Sequence, residues 1–156
     1  MKIAIASDHA GFDGKEAIKQ QLDEMGVAYD DFGTHSGEAS VDYPDFAERV
    51  GDAVTHGHAD RGILVCGSGI GIMISANKIK GVRCALAWNE ETARLSRQHN
   101  DANIVAVGGR TTQPEVIAEI VSTFLTTDFS GGRHSTRIEK IANLENKKGE
   151  AANEDA

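Results

Sequence analysis

With 156 residues, 40% of them hydrophobic and 26% charged, the chain has the size and balance of one globular domain able to bury its own core. Its formal net charge of −8 argues against a nucleic-acid partner, since phosphate backbones need a basic face, although a few local arginines can still hold a single phosphate. No apolar run approaches the roughly 20 residues of a membrane span, Met1–Asp8 is too short and too soon interrupted by acid for a signal peptide, and Cys66 and Cys84 lack the spacing of a zinc site or disulfide framework; a protein of the reducing cytoplasm, with no membrane partner, is expected.

Lys2–Ser7 is a short apolar run and reads as a strand. Phe12–Met25 carries Ile18 and Leu22 at helical spacing and stops at Gly26. Val27–Phe32 is a second, weaker strand, and Tyr43–Val54 is a helix with Pro44 in its first turn. Gly62–Cys66 is a continuous apolar strand of the kind that fills the middle of a parallel sheet, followed by glycines and a helix reaching Lys78. Val82–Trp88 reads as a strand, Glu90–His99 as a helix, Asn103–Val107 as a strand, Pro114–Leu125 as a helix, and Ile138–Leu144 as a last helix opening near Gly132. The alternation predicts an α/β fold, a doubly wound five-stranded parallel sheet with helices on both faces. Residues 1–145 form one expected domain, and the polar tail Asn146–Ala156 is expected to be disordered.

Ligands of open α/β sheets sit at the carboxyl ends of the strands. Three of four such ends carry reactive or anion-binding groups: Asp8-His9, Cys66-Gly67-Ser68-Gly69-Ile70-Gly71, and Gly108-Gly109-Arg110. In the second, a thiol ends a strand and glycines lead into a helix, so backbone N–H groups can turn toward an anion without interference from Cβ atoms. A dinucleotide fingerprint needs a different third glycine, since position 72 is Ile; a phosphatase loop needs an arginine where Ile72 stands. The remaining functional reading is an oxyanion cradle beside a thiol acting as base. Backbone donors of this kind contribute about 3–4 kcal/mol each, so the cradle is the larger catalytic contribution. Set against it, a free cysteine is commonly just a small buried hydrophobe.

Asp8 can hold a sugar hydroxyl and His9 a phosphate, or they can be a turn Asp and a surface His. His99, before Asn100, is a candidate proton carrier or simply a histidine favoured at a helix C-terminus. Arg133 and Arg137 share a helical face and suit a phosphate dianion, with Arg110 a weaker third candidate. His56-Gly57-His58 with Asp60 reads as a solvated loop rather than a metal site. Cys84, Phe46, Trp88 and Phe124 read as packing.

Ser7-Asp8-His9-Ala10-Gly11, Cys66-Gly67-Ser68-Gly69-Ile70-Gly71, Ser75-Ala76-Asn77-Lys78, Ser96-Arg97-Gln98-His99-Asn100-Asp101-Ala102-Asn103 and Gly131-Gly132-Arg133-His134 together resemble the family of ribose-5-phosphate isomerase B and galactose-6-phosphate isomerase subunits, over about Met1–Leu144. The resemblance implies a Rossmann-like three-layer α/β/α sandwich that forms homodimers or homotetramers and uses no metal or organic cofactor. It implies an aldose–ketose isomerisation of ribose 5-phosphate and ribulose 5-phosphate. Cys66 would be the base, Gly67, Gly69, Ile70 and Gly71 with Ser68 the enediolate cradle, and His99 the ring-opening group. Asp8, His9 and Asn100 would contact the sugar, and Arg110, Arg133 and Arg137 the phosphate, some of them from the partner subunit. One branch of the family uses a downstream glutamate as base; Ile70, Ile72 and Met73 stand in that stretch here, so the chain resembles the cysteine branch. The alternatives are another sugar phosphate (allose 6-phosphate, galactose 6-phosphate or a tetrose phosphate), a non-catalytic nucleotide-binding module, and a redox-sensing thiol protein.

Overall fold

The apolar runs become strands and the amphipathic stretches become the helices that cover them. The computed structural model describes residues 1–154, in the order β1 (Lys2–Ser7), α1 (Phe12–Glu24), β2 (Ala28–Asp31), α2 (Tyr43–Thr55), β3 (Arg61–Cys66), α3 (Ile70–Ala76), β4 (Cys84–Leu86), α4 (Glu90–Asn100), β5 (Ile104–Gly108), α5 (Pro114–Thr126) and α6 (Arg133–Glu154). The five strands are parallel, in spatial order β2-β1-β3-β5-β4. The result is a Rossmann-like α/β/α sandwich.

Right-handed crossovers decide which helix lies where. The connections β1→β2 and β4→β5 run one way across the sheet and put α1 and α4 on one face; β2→β3 and β3→β4 run the other way and put α2 and α3 opposite. Side chains alternate between the two faces along each strand. Ile3, Ile5, Ile63, Val65, Val105 and Val107 pack with Ile18, Leu22, Ile120 and Phe124 of α1 and α5. Ala4, Ala6, Leu64, Cys66 and Ala106 pack with Phe46, Val50 and Ile72 of α2 and α3. Burial on both faces is why β1, β3 and β5 read as unbroken apolar runs. Because β2 and β4 flank this core on opposite sides, the direction of winding reverses between β1 and β3, the switch point where such sheets bind ligands.

Three features depart from the sequence reading. β4 is only three residues long, so Trp88 lies past its end and is 61% exposed rather than packed, whereas Phe46 and Phe124 are buried. The helix after Cys66 stops at Ala76, where Asn77 turns its side-chain amide onto both the N–H and the C=O of Cys84. Helix α6 opens at Arg133, beside the expected Gly132, but continues past Leu144 through Asn146 to Glu154, a stretch expected to be disordered but rich in the helix formers Glu, Lys and Ala. Asp155 and Ala156 lie outside the described residues.

A buried cation fastens edge strand β2 to α1. Lys15 is fully buried and gives both Asp31 oxygens a hydrogen bond at 2.7 Å. Lys19 adds a third at 2.8 Å, and Asp31 also accepts the N–H of Gly33. Burial opposes the charge on Asp31, but the hydrogen bonds from Lys15, Lys19 and Gly33 outweigh it and hold the carboxyl below its ordinary value. A depressed carboxyl contributes stability that is present above its unfolded value and lost as pH falls through the folded one. Asp31→Asn should therefore lower unfolding free energy at pH 7 by about 3 kcal/mol, because buried Lys15 then keeps only the longer contact with Glu16 at 3.4 Å. It should also flatten the loss of stability that the unaltered protein shows below about pH 4. Urea unfolding across pH checks both, and an unchanged midpoint at pH 7 would deny the pair any stabilising role.

Candidate active site

β3 delivers Cys66 to the carboxyl edge of the sheet, next to the switch point. Gly67 and Ser68 follow, and Gly69 turns the chain into α3 with a left-handed φ of 78°. Only glycine fits there: a Cβ would stand 2.6 Å from Leu86 Cδ1 and 2.9 Å from the Val107 carbonyl carbon. The turn aims the Gly69 N–H at Cys66 Sγ, 3.1 Å away, and fixes the thiol's position. Ser68 Oγ accepts the Ile70 N–H at 3.2 Å, which leaves its own O–H free to donate. The Gly71 N–H lies in the first helical turn, where no helical carbonyl is available to accept it. A Cβ on Gly71 would come within 2.5 Å of the Tyr43 ring, so this glycine lets Tyr43 lie against the cradle.

The neighbouring strands complete the wall. Past β5, the Gly109 N–H donates to Cys66 O at 2.8 Å and the Arg110 N–H to Gly67 O at 2.9 Å, which brings the Arg110 guanidinium over Gly67. At the end of β1, Asp8 is buried and its Oδ1 accepts the Gly11 N–H at 2.9 Å, leaving Oδ2 as the oxygen a ligand could reach. His9 Nδ1 accepts the Val41 N–H at 3.2 Å; this assigns the proton of a neutral ring to Nε2, which can then donate to a bound oxygen.

Asp8, His9, Cys66, Gly67, Ser68 and Arg110 line one open cleft of about 670 Å³ with Ile70 and Gly71. Gly69 lies behind it, as the hinge of the turn. The cleft is also lined by Ser40, Val41, Asp42 and Tyr43, which the sequence reading did not single out. The available signal was positional: Tyr43 opens the helix after β2 just before Pro44, and helix N-termini in this fold point to the ligand edge. A second groove of about 710 Å³ between β4 and α6 contains Cys84, but it has no glycine cradle, and burial pushes the Cys84 thiol well above its ordinary value.

His99, Asn100, Arg133 and Arg137 are not in the cleft. Helices that follow strands run back toward the opposite edge, so His99 and Asn100, at the C-terminus of α4, lie just before β5, whose Ile104 pairs with Gly62 at the start of β3. Gly62 to Cys66 is about 13 Å along the strand. Here His99 stacks on His134 at 4.3 Å between ring centroids, and Arg133 and Arg137 flank the pair at the start of α6. Loss of solvation, with the nearby His99, Arg133 and Arg137, holds the His134 imidazole below its ordinary value. In a chain of net charge −8, this is a local concentration of cationic groups suited to a phosphate.

A family model described as Ribose/Galactose Isomerase matches residues 3–141. The chain belongs to the ribose/galactose isomerase family. A putative sugar phosphate isomerase of Bacillus subtilis is 52% identical, the match covering 94% of this chain and 99% of that protein. The structure of ribose-5-phosphate isomerase B from Clostridium thermocellum superposes with a TM-score of 0.93 at 50% identity, over 95% of this chain and 99% of that one. That of Mycoplasma genitalium ribose-5-phosphate isomerase B, with bound ribulose 5-phosphate, gives 0.88 at 42% identity, over 93% and 96%. In this ribose/galactose isomerase chain both cysteines are free thiols, and their settings differ. Both side chains are nearly buried, Cys66 4% and Cys84 8% exposed, but the Cys66 sulfur takes a backbone N–H at the cleft whereas burial raises the Cys84 thiol, so a small alkylating reagent at neutral pH should modify Cys66 before Cys84. Peptide mass mapping checks this; labelling of Cys84 first would mean that the cleft is not where the reactive thiol lies.

Proposed function

We propose that this chain interconverts ribose 5-phosphate and ribulose 5-phosphate by proton transfer through an enediolate. The observation that carries the reading is the placement of the Cys66 thiol at the mouth of a backbone cradle, with the Ser68 hydroxyl, the His9 Nε2 donor and the Arg110 guanidinium around one cleft. Membership of the family and the ribulose 5-phosphate bound by the Mycoplasma genitalium relative support the choice of substrate.

In the proposed reaction the Cys66 thiolate removes the proton from C2 of the open-chain aldose. The electron pair moves into a C1–C2 double bond and negative charge gathers on oxygen. With the Gly69 N–H on Cys66 Sγ and the Ile70 N–H on Ser68 Oγ, the N–H groups of Gly67 and Gly71 and the Ser68 hydroxyl hold that charge, at about 3 kcal/mol or more per well-placed donor. The hydroxyl proton on O2 passes to O1, and return of the carbon proton from the Cys66 thiol to C1 as the C2 carbonyl forms gives the ketose, so the thiolate is regenerated and no redox partner is consumed. Each of these steps uses side chains and backbone N–H groups of the protein itself. A base of this kind must stay a free thiol, which fits a reducing cytoplasm.

Ring opening by His99 and phosphate binding by Arg133 and Arg137 require a second copy, because these groups stand at the far edge of the sheet. In a two-fold homodimer, or a tetramer built from such dimers, each cleft would receive the partner's cationic cluster. Exposed apolar groups support this: Ile70 and Ile74 of the cleft lining are 49% and 51% exposed, Trp88 just past β4 is 61% exposed, and Ile141 and Leu144 are exposed on α6. The Ribose/Galactose description of the family model keeps a second reading open, the same chemistry on a six-carbon sugar phosphate.

With chelator present, ribose 5-phosphate should give a higher kcat/KM than allose 6-phosphate, galactose 6-phosphate or a tetrose phosphate. Cys66→Ala should reduce turnover about a thousandfold with substrate binding kept. A different preferred sugar would change the substrate alone, while an unaffected Cys66→Ala would remove the base. Site sharing has its own test. Mixing inactive Cys66→Ala and His99→Ala proteins under subunit exchange should restore about a quarter of full activity, since half the dimers then hold one intact site. No recovery despite exchange would place both groups in one copy.

A further inference from the structure

Arg97 takes no part in the chemistry above, yet it is only 6% exposed, among the few charged side chains that the fold buries. Its Nη1 donates to Ala102 O at 2.6 Å and to Asp101 Oδ1 at 2.8 Å, and its Nε donates to Thr127 O at 3.2 Å. The guanidinium also packs 5.8 Å from the centre of the Phe124 ring. These acceptors belong to two different parts of the cationic cluster. Asp101 and Ala102 form the turn that ends α4 just after His99 and Asn100, with Asp101 in the left-handed region at a φ of 44°. Thr127 caps α5 and begins the connection to Arg133, His134 and Arg137 on α6. One further tie joins the two parts, the Ser130 N–H donating to Gln98 O at 3.1 Å.

Helix α6 has little else to set its place. From Arg133 to Lys147 its side chains are mostly exposed, and a distal hold comes from Glu145, which accepts the Gly81 N–H at 3.1 Å. The stacking of His99 on His134 therefore depends on how the end of α4 is fixed against the end of α5. A planar guanidinium can serve a carboxylate and two carbonyls at fixed angles; an ammonium at this depth cannot reproduce that fork.

We propose that Arg97 is a positioning residue: it sets His99 on α4 against Arg133, His134 and Arg137 on α6, so that the cluster presents ring-opening and phosphate-binding groups at one spacing. The catalytic consequence rests on the functional reading above; the geometric consequence does not.

Arg97→Lys tests it, with Asp101→Asn alongside, because asparagine tolerates the left-handed turn and keeps the size of the side chain. The readouts are kcat/KM for ribose 5-phosphate and the imidazole NMR titration of His134 in substrate-free protein. In folded Arg97→Lys, kcat/KM should fall about tenfold or more, because small misplacements of catalytic groups are costly. The His134 titration should move up toward the ordinary histidine value as His99, Arg133 and Arg137 draw away. Asp101→Asn should move both in the same direction by less. An unmoved His134 titration in folded Arg97→Lys overturns the proposal. If that variant does not fold, Asp101→Asn decides, and unmoved titration with unmoved kcat/KM overturns it. A shifted titration in protein whose unaltered form turns over no sugar phosphate upholds the positioning role and sinks the isomerase reading instead.

Discussion

A helix that links two parallel strands must run antiparallel to them, and this one constraint sorts the chemistry of the molecule. Groups that follow a strand, among them Asp8, His9, Cys66 and Arg110, gather at the carboxyl edge. Groups that close a helix, such as His99 and Asn100, are carried to the amino edge. The Cys66 cradle and the cationic cluster thus occupy opposite edges of one sheet. Self-association is then a geometric requirement of the proposed reaction rather than an addition to it, and the exposed Ile70 and Ile74 of the cleft lining are part of the surface such an arrangement would cover.

One device holds the carboxyl end of β2 in place, a buried cation met by both oxygens of its partner. Lys15 is tolerated in an apolar setting because Asp31 meets it with both oxygens. Asp31 also takes the Gly33 N–H, Gly33 O accepts the Ser7 N–H, and Ser7 O accepts the Thr34 N–H. The ion pair between α1 and β2 is in this way connected to the strand end that carries Asp8. At the opposite edge, the exposed Asn77 holds the start of β4, using its amide as a substitute for a strand partner of Cys84.

Much of this was legible in the order of residues. Unbroken apolar runs bounded by glycine identified the central strands because burial on both faces leaves no polar alternation to confuse the pattern. The cradle was legible because glycines at 67, 69 and 71 have few other uses directly after a buried strand. Trp88 was misread because an aromatic residue in an apolar run looks like core unless the strand is known to stop at Leu86. The last stretch, Asn146–Glu154, was misread because a polar composition rich in Lys and Glu serves a solvated helix as well as a disordered tail. Tyr43 escaped notice since its closeness to Gly71 is made by tertiary packing, which has no local signature. The separation of His99 from Cys66 was implicit in the topology, yet a strip of motifs conveys no sense of which edge each occupies.

The bonds from Gly109 N–H to Cys66 O and from Arg110 N–H to Gly67 O continue the β3–β5 ladder beyond the last strand residue. The cradle is in this respect an extension of the sheet rather than a loop resting on it, and it inherits the stiffness of the sheet. A rigid cradle cannot adapt to the length of a sugar. In the proposed reaction, discrimination between five- and six-carbon chains would then fall to the walls outside that ladder, the segment carrying Ser40 and Val41 and whatever reaches in from a second copy.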